Sequence, residues 1–394
     1  MSFDNVIGQE RAKRLLGSAL KNGKLGQTLL IWGPSGSGKR ALALELAKAV
    51  NCLTNPLDPC DVCSSCRKIR AWTHPDLLMI LPCSHEVCRS PRRRRQEEGE
   101  LQSGEEYNDA SDYEAEDAEL ASSIARNPYR APAPGRGEII SALKARGLRQ
   151  RLGYRPREAK DKVALIFDAE RMCPPFVSQP TAANILLKVL EEPPRDTFLI
   201  LTATHPGTLL PTIVSRCQWI RLTPLSRAEI RNVLEQDAGN SKEAHRIAAL
   251  ADGDLRMAYQ IASPDMADLD RIREETYTFL MTVLTGDPLK IFGTIERVTT
   301  GANQGERVKQ MCIFMLVWLR DALLFVHGCH DRVVNLDRLS HLEGLIRHLS
   351  TASICRWIER IERGMEQLSR HVHPSLLLLS LAQRQGYEGS DYDR

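Results

Sequence analysis

The feature that most constrains the fold is a glycine-rich loop between an apolar run and a helical pattern. Residues 28–32 (TLLIW) form a short apolar run of the buried-strand type. Gly33, Gly36, Gly38 and Lys39 follow in the pattern G-x-x-x-x-G-K, directly before a helical segment. In such a loop the glycines let backbone N–H groups surround phosphates at a helix N-terminus, and the lysine reaches the terminal phosphates. The sequence therefore predicts a phosphate loop.

The chain continues in an α/β pattern and then changes to helices alone. Apolar runs recur at residues 77–81, 163–167 and 198–202, and helical segments separate them. Strands that consist of continuous apolar residues are typical of parallel sheets covered on both faces. From about Pro224 to the end, amphipathic helical patterns dominate. The sequence therefore predicts the α/β class, with a P-loop parallel-sheet domain followed by helical domains.

Length, charge and hydropathy limit the functional classes. A chain of 394 residues suits two or three domains. Its formal net charge of +3 is too small to indicate a general nucleic-acid binder. No stretch approaches the roughly 18 uninterrupted apolar residues that a membrane helix needs, and the N-terminus has no signal-peptide core. We therefore expect a cytoplasmic protein with no membrane partner.

An insertion interrupts the α/β pattern over about residues 84–135. It contains a basic block at 92–95 and an acidic stretch at 97–119. Segments of this composition cannot bury enough apolar surface to fold, so we predict that the insertion is disordered. Its arginines either contact DNA or a partner, or fold back on the acidic stretch, and the sequence leaves both open.

The phosphate loop lacks its usual metal ligand. The residue after the loop lysine is normally Ser or Thr, whose hydroxyl binds Mg²⁺, but here it is Arg40. A guanidinium has five donors and no acceptor, so it cannot coordinate the ion. ATP or ADP can still be a ligand of the loop, and we expect that it is not hydrolysed.

A second acidic element, residues 163–172 (VALIFDAERM), is also incomplete. An ATPase of this kind needs two adjacent acidic residues, one for the metal and one to orient water. If Phe167 takes the metal position, Asp168 takes the catalytic one; if Asp168 takes the metal position, its neighbour is Ala169 and Glu170 lies one step too far. Neither register supplies the pair. The alternative that Asp168 only caps the next helix does not change this prediction.

Four cysteines form a cluster directly after the predicted loop helix. Cys52, Cys60, Cys63 and Cys66 lie within 15 residues. Four thiolates at this spacing can close a tetrahedral zinc site, and free buried thiols or an iron-sulfur cluster are the alternatives. With four protein ligands no coordination position stays open, so the predicted zinc site is structural.

Several motifs follow one another in a fixed order along the first two thirds of the chain. They are FDNVIGQERAKRLL (3–16), the phosphate loop, the cysteine cluster, HPDLLMI (74–80), NILLKVLEEPP (184–194) and TIVSRCQWIRLTPL (212–225). This series resembles the clamp-loader subunits of the AAA+ family over roughly residues 3–265. The resemblance implies an AAA+ domain with a zinc module over 1–223, a small helical lid over 224–265 and an all-helical collar over 266–394.

The resemblance also implies roles for individual residues. Arg216 matches the arginine finger that such subunits extend into the ATP site of an adjacent motor subunit, where a planar cation stabilises charge on the transferred phosphoryl group. An ordinary salt bridge is the alternative for Arg216. Val6 and Ile7 match the segment that lies along the adenine in ATP-binding relatives. Arg256 matches a lid arginine that contacts nucleotide or orients the lid, and Thr204 completes the predicted nucleotide-binding set.

Among clamp-loader subunits, the degraded nucleotide site is similar to that of the delta-prime type. This implies a subunit of the DNA polymerase III holoenzyme that lacks ATPase activity of its own. Its implied partners are gamma/tau motor subunits and a delta subunit in a hetero-oligomeric ring, with the sliding clamp and primed DNA reached through the complex. The alternatives are an ATP-hydrolysing gamma/tau-like motor subunit and a zinc-based DNA-binding module.

Overall fold

The computed structural model describes residue 3 and residues 5–55, 58–83, 120–131, 138–173, 181–238, 241–262, 269–300, 304–330, 333–368 and 372–383. The chain forms two compact units, Met1–Gln260 and Ile261–Arg394.

The first unit is built on a parallel sheet. Within the described residues its strands are β1 (Thr28–Trp32), β2 (Leu77–Ile80), β3 (Lys162–Ile166), β4 (Thr197–Ala203) and β5 (Gln218–Arg221). They lie in the order β2-β3-β4-β1-β5, and every neighbouring pair is parallel. The central strands β1, β3 and β4 are mostly apolar and almost fully buried because helices pack on them, as the continuous apolar runs predicted.

Helices surround the sheet and continue beyond its last strand. In the described residues of this unit they are α1 (Glu10–Lys21), α2 (Lys39–Asn51), α3 (Ser64–Arg70), α4 (Ala142–Leu152), α5 (Thr181–Glu191), α6 (Pro211–Val214), α7 (Arg227–Ala238), α8 (Ser241–Ala251) and α9 (Leu255–Ile261). One apolar cluster joins α4 and α5 to the sheet through residues such as Leu148, Leu186 and Leu199. Helix α2 packs on β1, β3 and β4. The predicted α/β fold class is thus confirmed.

The loop before β3 is fixed by the HPD motif. The Asp76 carboxylate, 1% exposed, accepts backbone N–H groups of Arg157, Glu158 and Ala159 at 2.7–2.8 Å. Burial alone would raise the pKa of Asp76, but these three donors outweigh it and hold the pKa below its usual value. His74 Nδ1 in turn accepts the N–H of Asp76 at 3.1 Å. The motif therefore sets the entry to the strand that leads to Asp168.

The second unit is helical throughout its described residues. Its helices are α10 (Leu269–Thr285), α11 (Pro288–Thr299), α12 (Gln304–Val326), α13 (Leu339–His348), α14 (Thr351–Leu368) and α15 (Pro374–Ala382). Helix α12 is central and contacts the other five. Its buried face, with Met311, Met315 and Trp318, forms one core with Phe279 and Ile354. The prediction of an all-helical C-terminal part is confirmed, and the role as a collar stays a prediction.

The predicted disordered insertion is ordered in one part. Residues 120–126 are helical and residues 128–130 form a turn, so the prediction of disorder over 84–135 is wrong for 120–131. Ile124 and Ala131 are completely buried, which explains why this stretch folds: it supplies apolar side chains to the core. The rest of the insertion up to residue 137, including the basic block, lies outside the described residues. The three domain boundaries given above stay predictions.

Among the described residues, the helices are each too short or too polar to cross a bilayer.

Candidate nucleotide site and cysteine cluster

The phosphate loop lies between β1 and α2, at the carboxyl end of the sheet. Gly36 and Gly38 have φ angles of 63° and 94°, left-handed values that favour glycine. The Lys39 ammonium donates to the backbone carbonyls of Gly33 and Pro34, both at 2.7 Å. Burial lowers the pKa of Lys39 to about 8, although the nearby Asp168 carboxylate opposes the shift. The lysine that would bind phosphate is thus folded back on its own loop.

Arg40 fills the position of the metal-binding hydroxyl. Its Nη2 atom lies 2.7 Å from Oδ2 of Asp168, and the two side chains are only 4% and 10% exposed. The guanidinium also lies over the Phe167 ring, 5.9 Å from its centroid. Asp168 therefore faces residue 40, which is the geometry of the second register considered above. In place of a metal ion between a hydroxyl and a carboxylate, the site contains an ion pair.

Glu170 is occupied by a different contact. Its Oε1 atom accepts the backbone N–H of Thr204 at 3.1 Å and the Thr204 hydroxyl at 2.8 Å. Asp168 itself has left-handed backbone angles and makes no side-chain cap to the short 3₁₀ helix at Ala169–Met172. The simple capping role for Asp168 is therefore wrong. Thr204 joins the site through the carboxylate of Glu170.

A tyrosine from the insertion lies against the loop. The Tyr129 hydroxyl accepts the backbone N–H of Ile7 at 2.9 Å, and a Cβ added to Gly38 would lie 2.7 Å from the same oxygen. Tyr129 is 5% exposed, and the neighbouring predicted residue Val6 is 1% exposed. Sequence reasoning missed Tyr129 because it follows a highly charged stretch that carries no folding signal.

The segment around α9 covers the other side of the loop. A Cβ added to Gly36 would lie 1.8 Å from Oδ1 of Asp254 and 2.6 Å from the Leu255 nitrogen. Burial lowers the pKa of Arg256, and the positive charge of Arg40 adds to the effect. Gln9 also holds the loop, because its side-chain amide donates to the carbonyls of Ser37 at 3.1 Å and Thr223 at 2.7 Å.

The predicted nucleotide-binding residues thus converge on one place. Gly33, Gly36, Gly38, Lys39, Arg40, Asp168 and Arg256 surround the loop, Thr204 is linked through Glu170, and Val6 and Ile7 lie beside Tyr129. Within this site Lys39 bonds to carbonyls of the loop itself, and Arg40 pairs with Asp168. Whether nucleotide binds stays a prediction.

Arg216 lies at the opposite end of the strands, just before the amino end of β5. It follows α6 and precedes β5, whose first residue, Gln218, is paired with Leu29 near the start of β1. The phosphate loop begins four residues after Leu29, at least about 13 Å further along the strand. The Arg216 side chain is 55% exposed, and its nearest described carboxylate partner, Glu191, is 3.8 Å away and 44% exposed. Arg216 is thus directed to solvent, away from the loop of its own chain.

Hydrogen bonds of neighbouring side chains hold the backbone around Arg216. The Ser215 hydroxyl donates to the Thr212 carbonyl at 3.2 Å, and the Trp219 indole donates to the Val214 carbonyl at 3.0 Å. The Cys217 thiol is turned inward, donating to the Ile213 carbonyl at 3.2 Å, and burial raises its pKa to about 12. These contacts fix the backbone on both sides of Arg216 while its side chain stays accessible.

The four cysteines come together as predicted. The sulphur atoms of Cys52, Cys60, Cys63 and Cys66 all lie within 4.8 Å of one another. A tetrahedral zinc ion with Zn–S bonds of about 2.3 Å needs sulphurs about 3.8 Å apart, so a small contraction would fit the ion. Backbone N–H groups of Asn55, Cys63 and Cys66 donate to Cys52, Cys60 and Cys63 sulphurs at 3.3–3.4 Å. Such donors favour thiolate, the form that binds metal.

The pKa values of the cluster thiols are shifted in opposite directions. The Thr54 hydroxyl and nearby backbone N–H groups lower the pKa of Cys60 to about 6. Burial raises the pKa of Cys66, which is completely buried. Because a metal ligand must be a thiolate, binding at this cluster should release a proton from Cys66.

A buried ion cluster attaches the cysteine segment to the loop helix. The Lys48 ammonium, on α2, contacts both Glu45 and Asp61, and the Asn5 amide donates to the same two carboxylates at 2.9 and 3.0 Å. Burial raises the pKa of Glu45, although Lys48 opposes the shift. These polar residues had no sequence signal, because their spacing along the chain shows no motif.

Two family models match the chain. The model described as DNA polymerase III, delta subunit, matches residues 8–226, and the one described as DNA polymerase III, delta subunit, C terminal, matches residues 272–385. The chain is 27% identical over 386 residues to the DNA polymerase III subunit tau of Salmonella typhimurium, covering 96% of this chain and 49% of that protein. It is 27% identical over 258 residues to the DNA polymerase III subunit delta' of Bacillus subtilis, covering 65% of this chain and 60% of that protein.

The chain thus spans about half to three fifths of the length of these curated relatives. Identity to the tau and delta' types is equal, so the type of subunit has to be inferred from the residues at the site. A solved structure of a DNA polymerase III, gamma subunit-related protein from Thermotoga maritima is similar at a TM-score of 0.44 and 16% identity, covering 95% of this chain and 97% of that chain. A TM-score this low supports no conclusion about function.

Proposed function

This chain belongs to the DNA polymerase III delta-subunit family, and from that premise we propose that it is a delta-prime-type clamp-loader subunit that does not hydrolyse ATP. The observation that carries the proposal is the difference between the two ends of the parallel strands. At the carboxyl end Arg40 and Asp168 form a 2.7 Å ion pair where a magnesium ion would be needed. At the amino end Arg216 is exposed, on a backbone that hydrogen bonds of its neighbours hold.

The exposed arginine is suited to act on a neighbouring molecule. A guanidinium supplied in trans can stabilise the charge that develops on a transferred phosphoryl group, and it must reach the site from outside the nucleotide-binding subunit. The accessible side chain of Arg216 meets this requirement, and the weak 3.8 Å contact with Glu191 is easily exchanged for a phosphate. We infer that Arg216 completes the ATP site of an adjacent motor subunit.

The proposed partners follow from this role. They are gamma/tau-type motor subunits and a delta subunit in a hetero-oligomeric ring, which loads the sliding clamp onto primed DNA. The four-cysteine cluster would hold a structural zinc ion through Cys52, Cys60, Cys63 and Cys66. Because all four ligands are thiolates of the protein, the ion would stabilise the segment around α3 and leave no open position for chemistry.

The test uses Arg216→Ala in a loader reconstituted with motor and delta subunits. We expect the DNA-stimulated ATPase of the complex to fall by about 10³-fold or more for the motor site next to this chain, since an arginine finger contributes that much. Arg216→Lys should recover little of the loss because an ammonium lacks the planar fork. Arg149→Ala, an exposed arginine on α4, is the matched control and should leave the rate unchanged.

The assembled ring must be verified by size-exclusion chromatography for each variant, so that loss of assembly is separated from loss of catalysis. A reconstituted loader that keeps full ATPase at every motor site with Arg216→Ala would refute the finger role.

The alternative is an ATP-hydrolysing motor subunit of the gamma/tau type. It is favoured by the match to tau subunits over nearly the whole of this chain. Magnesium-dependent ATP turnover by the purified chain separates the two, and our proposal requires that none is detected. Turnover that is lost in Lys39→Ala would establish the motor function instead.

A further inference from the structure

A buried segment of the chain lies against the phosphate loop. Residues 120–131 form a helical stretch and a turn, and Ile124, Tyr129 and Ala131 are 0%, 5% and 0% exposed. This is the burial of a core element. It contrasts with the composition of the insertion to which the segment belongs, which predicted no folded structure.

The segment contacts both the phosphate loop and the N-terminal residues beside it. The Tyr129 hydroxyl lies so close to Gly38 that a Cβ there would be 2.7 Å away, and it accepts the Ile7 N–H at 2.9 Å. Gly38 directly precedes Lys39, at the helix N-terminus where phosphates would bind. The phenol therefore lies directly beside the phosphate-binding end of the loop.

The same segment also holds the helices that follow the sheet. The Arg130 guanidinium lies 2.9 Å from Oδ2 of Asp237 on α7 and 4.4 Å from the ring centroid of Tyr259 on α9. Tyr259 donates its hydroxyl to the same Asp237 oxygen at 3.0 Å. The turn itself is fixed by Asn127, whose side-chain oxygen accepts the N–H of Tyr129 at 2.9 Å. Two adjacent residues therefore bridge the loop and the helical part of this unit.

We propose that residues 127–131 are an internal ligand of the nucleotide site, which occupies the space beside the phosphate loop and excludes ATP and ADP. A tethered ligand competes at a high effective concentration without a diffusional encounter. If the segment is in place 99% of the time, the apparent affinity for nucleotide falls about 100-fold. The inference concerns the chain's own site and holds whether or not Arg216 acts as an arginine finger.

The test titrates the full chain with a fluorescent N-methylanthraniloyl derivative of ADP and of ATP, with and without magnesium. We expect no saturable binding to the wild type below about 100 µM and at least about tenfold tighter binding to the double variant Tyr129→Ala/Arg130→Ala. Tyr154→Ala is the matched control, because Tyr154 is 65% exposed, and it should bind as the wild type does. Adding Lys39→Ala to the double variant should abolish the gained binding.

Three results of this titration would overturn the inference. They are tight binding to the wild type, a folded double variant that gains no affinity, and gained binding that survives Lys39→Ala. None of them bears on the ATPase of the reconstituted loader, so failure here is distinguishable from failure of the proposed function.

Hydrogen exchange gives a second measurement in case the double variant does not fold. In the wild type, the Ile7 amide should be protected because it donates to Tyr129. Tyr129→Phe keeps the ring but removes the acceptor, and exchange at Ile7 should become at least about tenfold faster, which corresponds to a hydrogen bond of about 1.4 kcal/mol. An Ile7 amide that exchanges freely in the wild type would show that the segment does not occupy the site.

Discussion

Replacing Asp168 by alanine should destabilise the sheet more than replacing its partner Arg40 by methionine. The two side chains form a 2.7 Å ion pair and are 10% and 4% exposed. Removing one partner of a buried ion pair takes away the attraction that offset the desolvation of the other charge, and typically costs about 3–5 kcal/mol. In Asp168→Ala the Arg40 guanidinium loses this carboxylate and also lies in the field of the half-buried Arg256.

We expect Arg40→Met to destabilise the protein less than Asp168→Ala does. In Arg40→Met the carboxylate of Asp168 keeps the attraction of the Lys39 ammonium, whose pKa it raises against the effect of burial. We expect a loss of about 1–3 kcal/mol, the cost of an imperfectly satisfied buried group. The double variant Arg40→Met/Asp168→Leu removes both charges and should be within about 1 kcal/mol of the wild type, since well-packed apolar replacements of buried pairs are often neutral.

Native-state hydrogen exchange of peptides from β3 is the appropriate assay. The chain forms two compact units, so a global unfolding curve need not be two-state. Exchange of β3 amides should be faster by between about two and three and a half powers of ten in Asp168→Ala. Peptides from α12 in the second unit serve as the internal reference. Glu158→Ala is the matched control, because its ion pair with Lys68 is about half exposed and should contribute less than about 1 kcal/mol.

Two outcomes would refute this reasoning. An effect of Asp168→Ala below about 1 kcal/mol would mean that the pair is not buried in solution. Equal costs for the two single variants would mean that Lys39 and Arg256 do not shape the field at Asp168.

Two further predictions concern the cysteine cluster and the HPD motif. Metal analysis should find one zinc per chain, and Cys60→Ser should abolish it and lower the melting temperature; a wild type without stoichiometric metal would contradict this. Asp76→Ala leaves three backbone N–H groups without their acceptor and should cost about 2–4 kcal/mol, measured by native-state hydrogen exchange of β3. Because the folded pKa of Asp76 is depressed, its stabilisation is present above the unfolded pKa of about 3.9 and is lost as the pH falls through the folded pKa. Asp76→Asn should therefore lose less stability than the wild type between pH 5 and about pH 2, and identical pH profiles would contradict the assignment.

The sheet and the loop were predictable because their signals are local. The strands β1 to β4 are short runs whose burial on both faces favours apolar side chains, whereas β5 (Gln218–Arg221) is exposed at three of its four residues and was not among the predicted runs. The cysteine cluster was equally accessible, because its ligands lie within one short segment. In each of these cases the signal lies within a few consecutive residues.

The occupants of the nucleotide site were not predictable, because their partners are distant in sequence. Tyr129 meets Ile7 across 122 residues, and Arg40 meets Asp168 across 128. The choice between the two registers of the acidic element depended on the second of these contacts. The segment around Tyr129 also carries a misleading composition, since a few buried side chains such as Ile124 determine its structure against the charged majority.

The contacts around the phosphate loop give this loop a structural use that does not depend on catalysis. Lys39 binds the loop carbonyls, Gln9 ties the loop to Thr223 at the end of β5, and Asp254 packs over Gly36. These interactions join the loop to the helices after the sheet with side chains in place of a nucleotide. In the proposed function these contacts would take the place of a nucleotide at the loop, and Arg216 would act on the site of a neighbouring subunit. Contacts supplied by the chain itself suit such a role, since a catalytic group contributes most when its surroundings are fixed in advance.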